Sequence, residues 1–239
     1  MIAVIVPIYN TEKYLRETID SVICQKLSFA EHIRLILLDD ASTDGSFAIC
    51  EQYQKQYPKQ ILVKHYDTNQ GVSALRNEGV RIAGEMGDEL ITFLDSDDKL
   101  ADDAMEKAVQ YFDAHEYVFV AAIGIRYFDA YEVEQRLNWR FEKTDVVDIK
   151  KDYTYPHYYV GGVFLRHAVL DELHFDESLS FWEDALAVNQ VIVSQGKYGL
   201  IAGTHYYYRK REDESSLVDT AWHKKERYTT LLSSGYGQL

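Results

Sequence analysis

Three acids fall within four consecutive positions at Asp95-Ser96-Asp97-Asp98, directly after the apolar run Leu90 to Leu94. So apolar a strand cannot solvate them, and neighbouring carboxylates raise one another's pKa unless a cation or hydrogen-bond donors intervene. Such a cluster suits a hard divalent cation, Mn²⁺ or Mg²⁺, held by one or two carboxylates together with phosphate oxygens. The plainer alternative is a solvated acidic loop. A second acidic pair, Glu183-Asp184, follows Phe181-Trp182 at the start of a helix-like stretch. A carboxylate there can take a proton from a hydroxyl, and an indole can stack on the apolar face of a sugar. Equally, the pair can be a favourable charge at a helix N-terminus beside a core tryptophan.

Four further clusters carry weaker signals. Pro7-Ile8-Tyr9-Asn10 offers a ring and an amide to a planar base, or is an ordinary strand-to-helix turn with Thr11 as cap. Asp39-Asp40-Ala41-Ser42-Thr43-Asp44 places carboxylates where a base imide or ribose hydroxyl can donate to them; Ser42 or Thr43 can also cap a helix. In Asn69-Gln70-Gly71 through Arg76-Asn77, Gly71 permits close backbone approach to a ligand, and Arg76 can neutralise ligand or carboxylate charge. His205-Tyr-Tyr-Tyr-Arg209-Lys210-Arg211 is the densest basic patch; its arginines can hold a diphosphate and His205 can ligate a metal, unless the segment is only a tyrosine-rich edge strand and a charged loop.

These clusters sit where apolar runs stop. Ile2–Ile8, Ile33–Leu38, Ile61–Tyr66 and Leu90–Leu94 read as strands buried on both faces of a parallel sheet. Between them Leu15, Ile19, Val22 and Ile23 share one helical face, Phe47 and Cys50 start another, Val72 and Leu75 a third, and Ala104, Met105, Ala108, Val109 and Phe112 a fourth. Alternating strand and helix imply an open α/β sheet, whose ligands bind at the carboxyl ends of the strands. The second half is less regular: strand-like segments at Val118–Phe128, Tyr159–Leu165 and Tyr198–Tyr208, a helix at Asp184–Val193, and a polar stretch from Asn138 to Tyr155 of undefined structure.

The 239 residues suffice for one globular core, and no linker divides them. A net charge of −14, from 39 acidic against 25 basic residues, excludes a broad electrostatic grip on nucleic acid. No apolar run approaches the ~20 residues that would span a bilayer, and the start of the chain reads as a strand, not a signal peptide. Cys24 and Cys50 lack metal-site spacing and read as small buried side chains.

Taken in order, Val6-Pro7-Ile8-Tyr9-Asn10, Asp39 to Asp44, Gly71 with Arg76-Asn77, Asp95-Ser96-Asp97-Asp98, Glu183-Asp184 and Tyr208-Arg209 resemble the family-2 glycosyltransferases of the GT-A fold. More faintly, the basic stretch ending in Ser215-Ser216 resembles modules that decorate teichoic acids or capsular polysaccharides. The resemblance implies a GT-A, Rossmann-like, open, twisted, mostly parallel sheet flanked by helices. It implies one catalytic domain over 1–232, with a nucleotide-binding half (1–100), an acceptor-binding half (101–232) and a disordered tail (233–239). It further implies an inverting, metal-dependent transfer from a nucleotide-sugar, UDP-linked, to a hydroxyl of a glycan or lipid-linked glycan in bacterial surface-polysaccharide synthesis. Pro7, Tyr9, Asn10, Asp39, Asp40, Gly71 and Arg76 would surround the nucleotide, with Asp40 accepting from a uracil imide. Asp95 and Ser96 would lie on the ribose side of a DXD motif. Asp97 would hold Mn²⁺ or Mg²⁺, with His205 as a further candidate ligand, and Arg209 would hold the diphosphate. Asp184 would be the catalytic base beside Glu183, and Trp182 would face the acceptor. Ala41 stands where the family often has Gly. The protein would work in the cytoplasm, without an integral membrane segment or a nucleic acid partner, and in peripheral association with the inner membrane face. Two other functions fit the same acids: a sugar nucleotidyltransferase, which would have no need of Glu183-Asp184, and a non-catalytic carbohydrate-binding or assembly module.

Overall fold

The computed structural model describes residues 1–130, 133–152, 157, 159–179 and 181–211. The expected domain end at 232, the tail from 233 and Ser215-Ser216 lie outside the described residues.

Ile2–Ile8 forms β1, buried along its whole length, as a continuous apolar strand must be when both sheet faces are covered. After it come α1 (Glu12–Ile23), the one-turn α2 (Phe29–His32), β2 (Ile33–Asp39), α3 (Ser46–Gln56), β3 (Ile61–His65), α4 (Val72–Glu85) and β4 (Leu90–Phe93). β2 and β4 both pair parallel to β1, and β3 pairs parallel to β2. The path β3-β2-β1-β4 therefore reverses direction at β1, which opens a crevice beyond the carboxyl ends of β1 and β4.

The second half adds β5 (Lys99–Leu100), α5 (Ala104–Ala114), β6 (Val120–Asp129), β7 (Val133–Glu134), a 3₁₀ helix (Arg136–Phe141), β8 (Asp145–Asp148), β9 (Val163–Arg166), a second 3₁₀ helix (His167–Glu172), α6 (Glu183–Gln195) and β10 (Lys197–Lys210). The sheet continues β4-β9-β6-β10-β5 without a break, so the two halves share one sheet. This part departs from the parallel pattern: β9 runs antiparallel to both β4 and β6, and β5 and β8 run antiparallel to β10. Only β6 and β10 are parallel there, with α6 in the connection between them. The polar stretch from Asn138 resolves into the end of the first 3₁₀ helix and β8, an edge segment whose residues are all half-buried.

Side chains alternating along β1 feed two cores. Val4, Val6 and Ile8 meet Leu15, Ile19, Ile49, Met105 and Phe112 of α1, α3 and α5 on one face. Ala3 and Ile5 meet Leu75 and Ala83 of α4 on the other, a layer that extends to Val188 and Val191 of α6. Cys50 is buried in the first core, but Cys24, at the end of α1, is exposed, because it falls off the apolar stripe; both are free thiols. Among the described residues no helix is long and apolar enough to cross a membrane.

Candidate active site

The crevice beyond β1 is held open by bonds between its own loops. Backbone groups alternate sides along a strand: Ile5 O accepts from Leu94 N on the β4 side, and Ile8 O accepts from Asp40 N on the β2 side. The N–H that Pro7 lacks would thus point toward β4, whose pairing has already ended at the Ile5–Phe93 rung. Tyr9 emerges 52% exposed at the strand end. Asn10, at φ +52°, donates its N–H to Ser42 Oγ and accepts the Thr43 N–H on Oδ1, which ties the end of β1 to the loop after β2. Ala41 is left-handed at φ +60°, a conformation that glycine adopts without a Cβ penalty.

Helix starts α1 and α3 are capped by Asp44, not by Thr11, Ser42 or Thr43. Its Oδ2 accepts from Glu12 N and its Oδ1 from Ser46 N, bonds that hold its carboxyl below the usual range. Asp40 is buried and accepts the backbone N–H groups of Gln70 and Gly71 at 2.6 and 2.9 Å, one on each oxygen. Gly71 then starts α4 at φ +87° with nothing near the position of a Cβ, so backbone conformation, not space, requires glycine.

The acidic loop between β4 and β5 is anchored from both sides. Asp98 N bonds back to Asp95 O, and Ser96 O accepts from Thr18 Oγ1 of α1. Tyr206 of β10, 1% exposed, donates its hydroxyl to Asp98 Oδ2 at 2.7 Å and accepts Asp95 N at 3.1 Å, while Arg209 N donates to Asp98 Oδ1. Asp98 is therefore the buried hinge of the loop; desolvation and its acidic neighbours push its carboxyl upward. Asp97 is also raised by burial, against the pull of Arg211, whose Nε and Nη2 both reach Asp97 Oδ2, at 3.0 and 2.7 Å. Asp95 offers a second carboxylate two positions away. Hard carboxylate oxygens of this kind fit Mn²⁺ or Mg²⁺. Among the described residues no group of three or more His, Cys, Asp or Glu side chains is placed to hold a metal ion by itself.

Across the cleft, α6 begins with Glu183 and Asp184, and Arg76 of α4 reaches both acidic groups. Its Nη1 donates to Glu183 Oε1 at 3.0 Å and its Nη2 to Asp95 Oδ1 at 3.1 Å, with the guanidinium nearly fully buried. Desolvation, partly opposed by Arg76, lifts the Asp184 carboxyl to about 6. Trp182 caps the helix in a left-handed conformation, φ +68°, and stands 47% exposed beside Phe181. Asn77 of α4 fixes the approach to α6, donating to Phe175 O and accepting Phe175 N.

Three expected ligand contacts are redirected by the structure. Asp39 is wholly buried, with Oδ2 shared by His65 Nδ1 and Ser42 N, so it braces the turn beneath α3. The Arg209 guanidinium is occupied by Asp97 O, Asp129 and Glu17, and lies against the Tyr14 and Phe128 rings. It supports the acidic loop from behind, whereas Arg211 is the arginine on the carboxylate. His205 projects from the face of β10 opposite Tyr206, since neighbours on a strand alternate, and so away from Asp95 and Asp98. Tyr206 had no distinguishing signal within a run of tyrosines. Arg211 was visible only as one member of the basic patch.

A family model described as "Glycosyl transferase family 2" matches residues 3–174. The chain is 43% identical over its full length to the minor teichoic acid biosynthesis protein GgaA of Bacillus subtilis (strain 168), of which it covers 54%. It is 38% identical over 92% of its length to GgaB of the same organism, covering 24% of that protein. The chain thus spans about half, or less, of these relatives. Among solved structures, S. aureus TarS 1–349 in complex with UDP-GlcNAc superposes with a TM-score of 0.77 at 26% identity, covering 88% of this chain and 59% of that one. The open sheet with its crevice is the GT-A architecture, and the chain belongs to glycosyl transferase family 2.

Proposed function

We propose that the protein transfers a sugar from a UDP-sugar to a hydroxyl of a glycan or lipid-linked glycan, with inversion, in the cytoplasmic assembly of a teichoic-acid-type surface polymer. The observation that carries this reading is the Arg76 fork, which sets the acidic loop and the start of α6 on one cleft. The UDP-GlcNAc bound by TarS and the teichoic acid roles of GgaA and GgaB support the donor and acceptor classes.

In this reading Pro7, Tyr9 and Asn10 border the nucleobase, and Asp40 positions the Gln70–Gly71 loop around it while retaining acceptor capacity for an imide. Asp95 and Ser96 lie on the ribose side. Asp97, with Asp95 beside it, would hold Mn²⁺ or Mg²⁺, which when bound neutralises charge on the leaving diphosphate. Asp184 takes the proton of the acceptor hydroxyl as its oxygen attacks the anomeric carbon; the bond from that carbon to the diphosphate oxygen breaks on the opposite face. Glu183 beside Asp184 would by itself oppose ionisation of the base. Arg76 compensates the Glu183 charge and lets both acids share the cleft. Trp182 offers the acceptor sugar a stacking surface.

The test is UDP release from a panel of UDP-sugars with Mn²⁺ and a glycan acceptor, followed by the anomeric configuration of the product. Acceptor-dependent release with inversion supports the reading. Release of pyrophosphate from nucleoside triphosphates would replace it with nucleotidyl transfer.

A further inference from the structure

The last residues of β1, β2 and β3 form one rung, with Ile8 beside Asp39 and Asp39 beside His65. Tyr9 and Asp40, at the mouth of the crevice, are the next residues along β1 and β2. The two neighbouring acids then part. Asp39 shares the face of Leu35 and Leu37, on the α3 side of the sheet, whereas Asp40 accepts Gln70 N and Gly71 N at the start of α4. Each acid therefore holds a different wall of the crevice.

Asp39 holds its wall through a chain of bonds that begins at His65. His65 Nδ1 lies 2.7 Å from Asp39 Oδ2, and Ser42 N donates to the same oxygen at 3.2 Å, while the buried Oδ1 has no partner among the described residues. An ionised carboxylate only accepts, so this bond puts an imidazole proton on Nδ1. From Ser42 the chain runs on to the end of β1: Ser42 Oγ accepts Asn10 N at 3.0 Å, and Asn10 Oδ1 accepts Thr43 N at 2.8 Å. The Phe47 ring packs on the imidazole with centroids 4.3 Å apart, and 33% of the His65 side chain stays in solvent. Without His65, Ser42 N would be the single donor left on a carboxylate that water does not reach. The carboxylate would no longer be fixed where it holds the Ser42 turn.

We infer that His65 is a positioning residue: through Asp39 and Ser42 it sets Tyr9 and Asn10 for the base of a nucleoside diphosphate, an assignment that rests on the UDP-sugar reading above. Three variants separate positioning from stability. His65→Leu removes the donor, His65→Asn can place a side-chain N–H where Nδ1 stands, and Ile49→Val thins the core under α3 without touching the chain of bonds. Amide hydrogen exchange, UDP calorimetry with Mn²⁺ and donor kinetics read them. In His65→Leu the Ser42 and Asn10 amides exchange ~10-fold faster, while Gln70 and Gly71, held by Asp40, keep their wild-type rates. UDP binds ~5-fold or more weakly, and the KM for the UDP-sugar rises in the same ratio with kcat within ~2-fold of wild type. His65→Asn restores amide protection and UDP affinity to within ~2-fold of wild type. Ile49→Val lowers the melting temperature yet binds UDP as wild type does. The positioning role is overturned if His65→Leu binds UDP as tightly as wild type, if His65→Asn restores neither readout, or if UDP affinity across the three variants simply follows their melting temperatures. Wild-type protein that binds no UDP would overturn the donor reading and this assignment with it, whereas equal UDP binding by wild type and His65→Leu overturns the positioning role alone.

Discussion

Arg76 and Glu183 meet at 3.0 Å, one in the first turns of α4 and the other at the first residue of α6, and the same guanidinium holds Asp95 at 3.1 Å. Two carboxylates from distant parts of the chain are thereby both bonded to one buried guanidinium. Removing the arginine leaves both uncompensated, and breaking a buried ion pair costs roughly 3–5 kcal/mol. Arg76→Met should therefore lower stability by about 3 kcal/mol in chemical denaturation, and Arg76→Lys should recover only part of it, because one ammonium cannot fork to two carboxylates. Adding Glu183→Gln to Arg76→Met should restore part of the loss. Equal destabilisation in single and double variants would show that the pair is not the source.

Asp184→Asn should abolish transfer while UDP affinity, measured by calorimetry, stays close to wild type. Since the carboxyl titrates near 6 in the folded protein, the base is protonated below that pH, and turnover should rise as pH passes from about 5 to 7 and then level off. Stability runs the other way. A folded-state value above the usual 3.8 means that the native protein holds this proton more tightly than the unfolded chain. That contribution is full below about pH 4 and lost as pH rises through 6, on the order of 2–3 kcal/mol. Asp184→Asn should accordingly raise the melting temperature at pH 7 more than at pH 4. A uniform gain at both values would contradict the assigned shift.

The acidic loop gives a separate readout. Asp97→Ala should abolish the Mn²⁺-dependent part of UDP binding in thermal-shift titrations, where stabilisation follows ligand occupancy by mass action. Arg211→Ala removes the cation now resting on Asp97 Oδ2 and should weaken UDP binding less than Asp97→Ala does. Unchanged UDP affinity in Asp97→Ala, with and without Mn²⁺, would remove the metal role from this carboxylate.

The first half of this arrangement was legible because parallel strands buried on both faces advertise themselves as apolar runs, and because each polar cluster begins where a run ends. Ile2–Ile8 and Leu90–Phe93 both follow that rule. In the second half β6, β9, α6 and β10 were legible as well, but β5, β7 and β8 were not, since they are two to four residues long and acquire their structure by pairing with β6 and β10, which no local pattern records. The same distinction separates the site residues. Asp95, Asp97, Glu183 and Asp184 stand out as acids beside apolar segments. Arg209 and Arg211 look alike in sequence, yet Arg209 is drawn into Glu17 and Asp129 of other elements while Arg211 reaches Asp97. Strand alternation alone was enough to separate His205 from Tyr206, but only once the run was known to be a strand throughout.

Tyr206 provides the last test, because its ring is trapped between its hydrogen bonds and a glycine. A Cβ at Gly161 would lie 2.5 Å from Tyr206 Cζ and 2.9 Å from its hydroxyl oxygen, inside contact distance. The ring cannot retreat without releasing Asp98 Oδ2 and Asp95 N, so Gly161→Ala should destabilise the protein by ~1–3 kcal/mol and loosen the acidic loop, weakening UDP binding. Tyr206→Phe removes the same two bonds directly and should also cost ~1–3 kcal/mol, since it strips a donor from a buried carboxyl group. In the double variant the ring is already free to shift, and the clash is relieved in part. Its loss should be smaller than the sum of the two single losses by more than the ~0.5 kcal/mol scatter of independent sites. Strict additivity in urea denaturation would show that Gly161 and Tyr206 do not constrain each other.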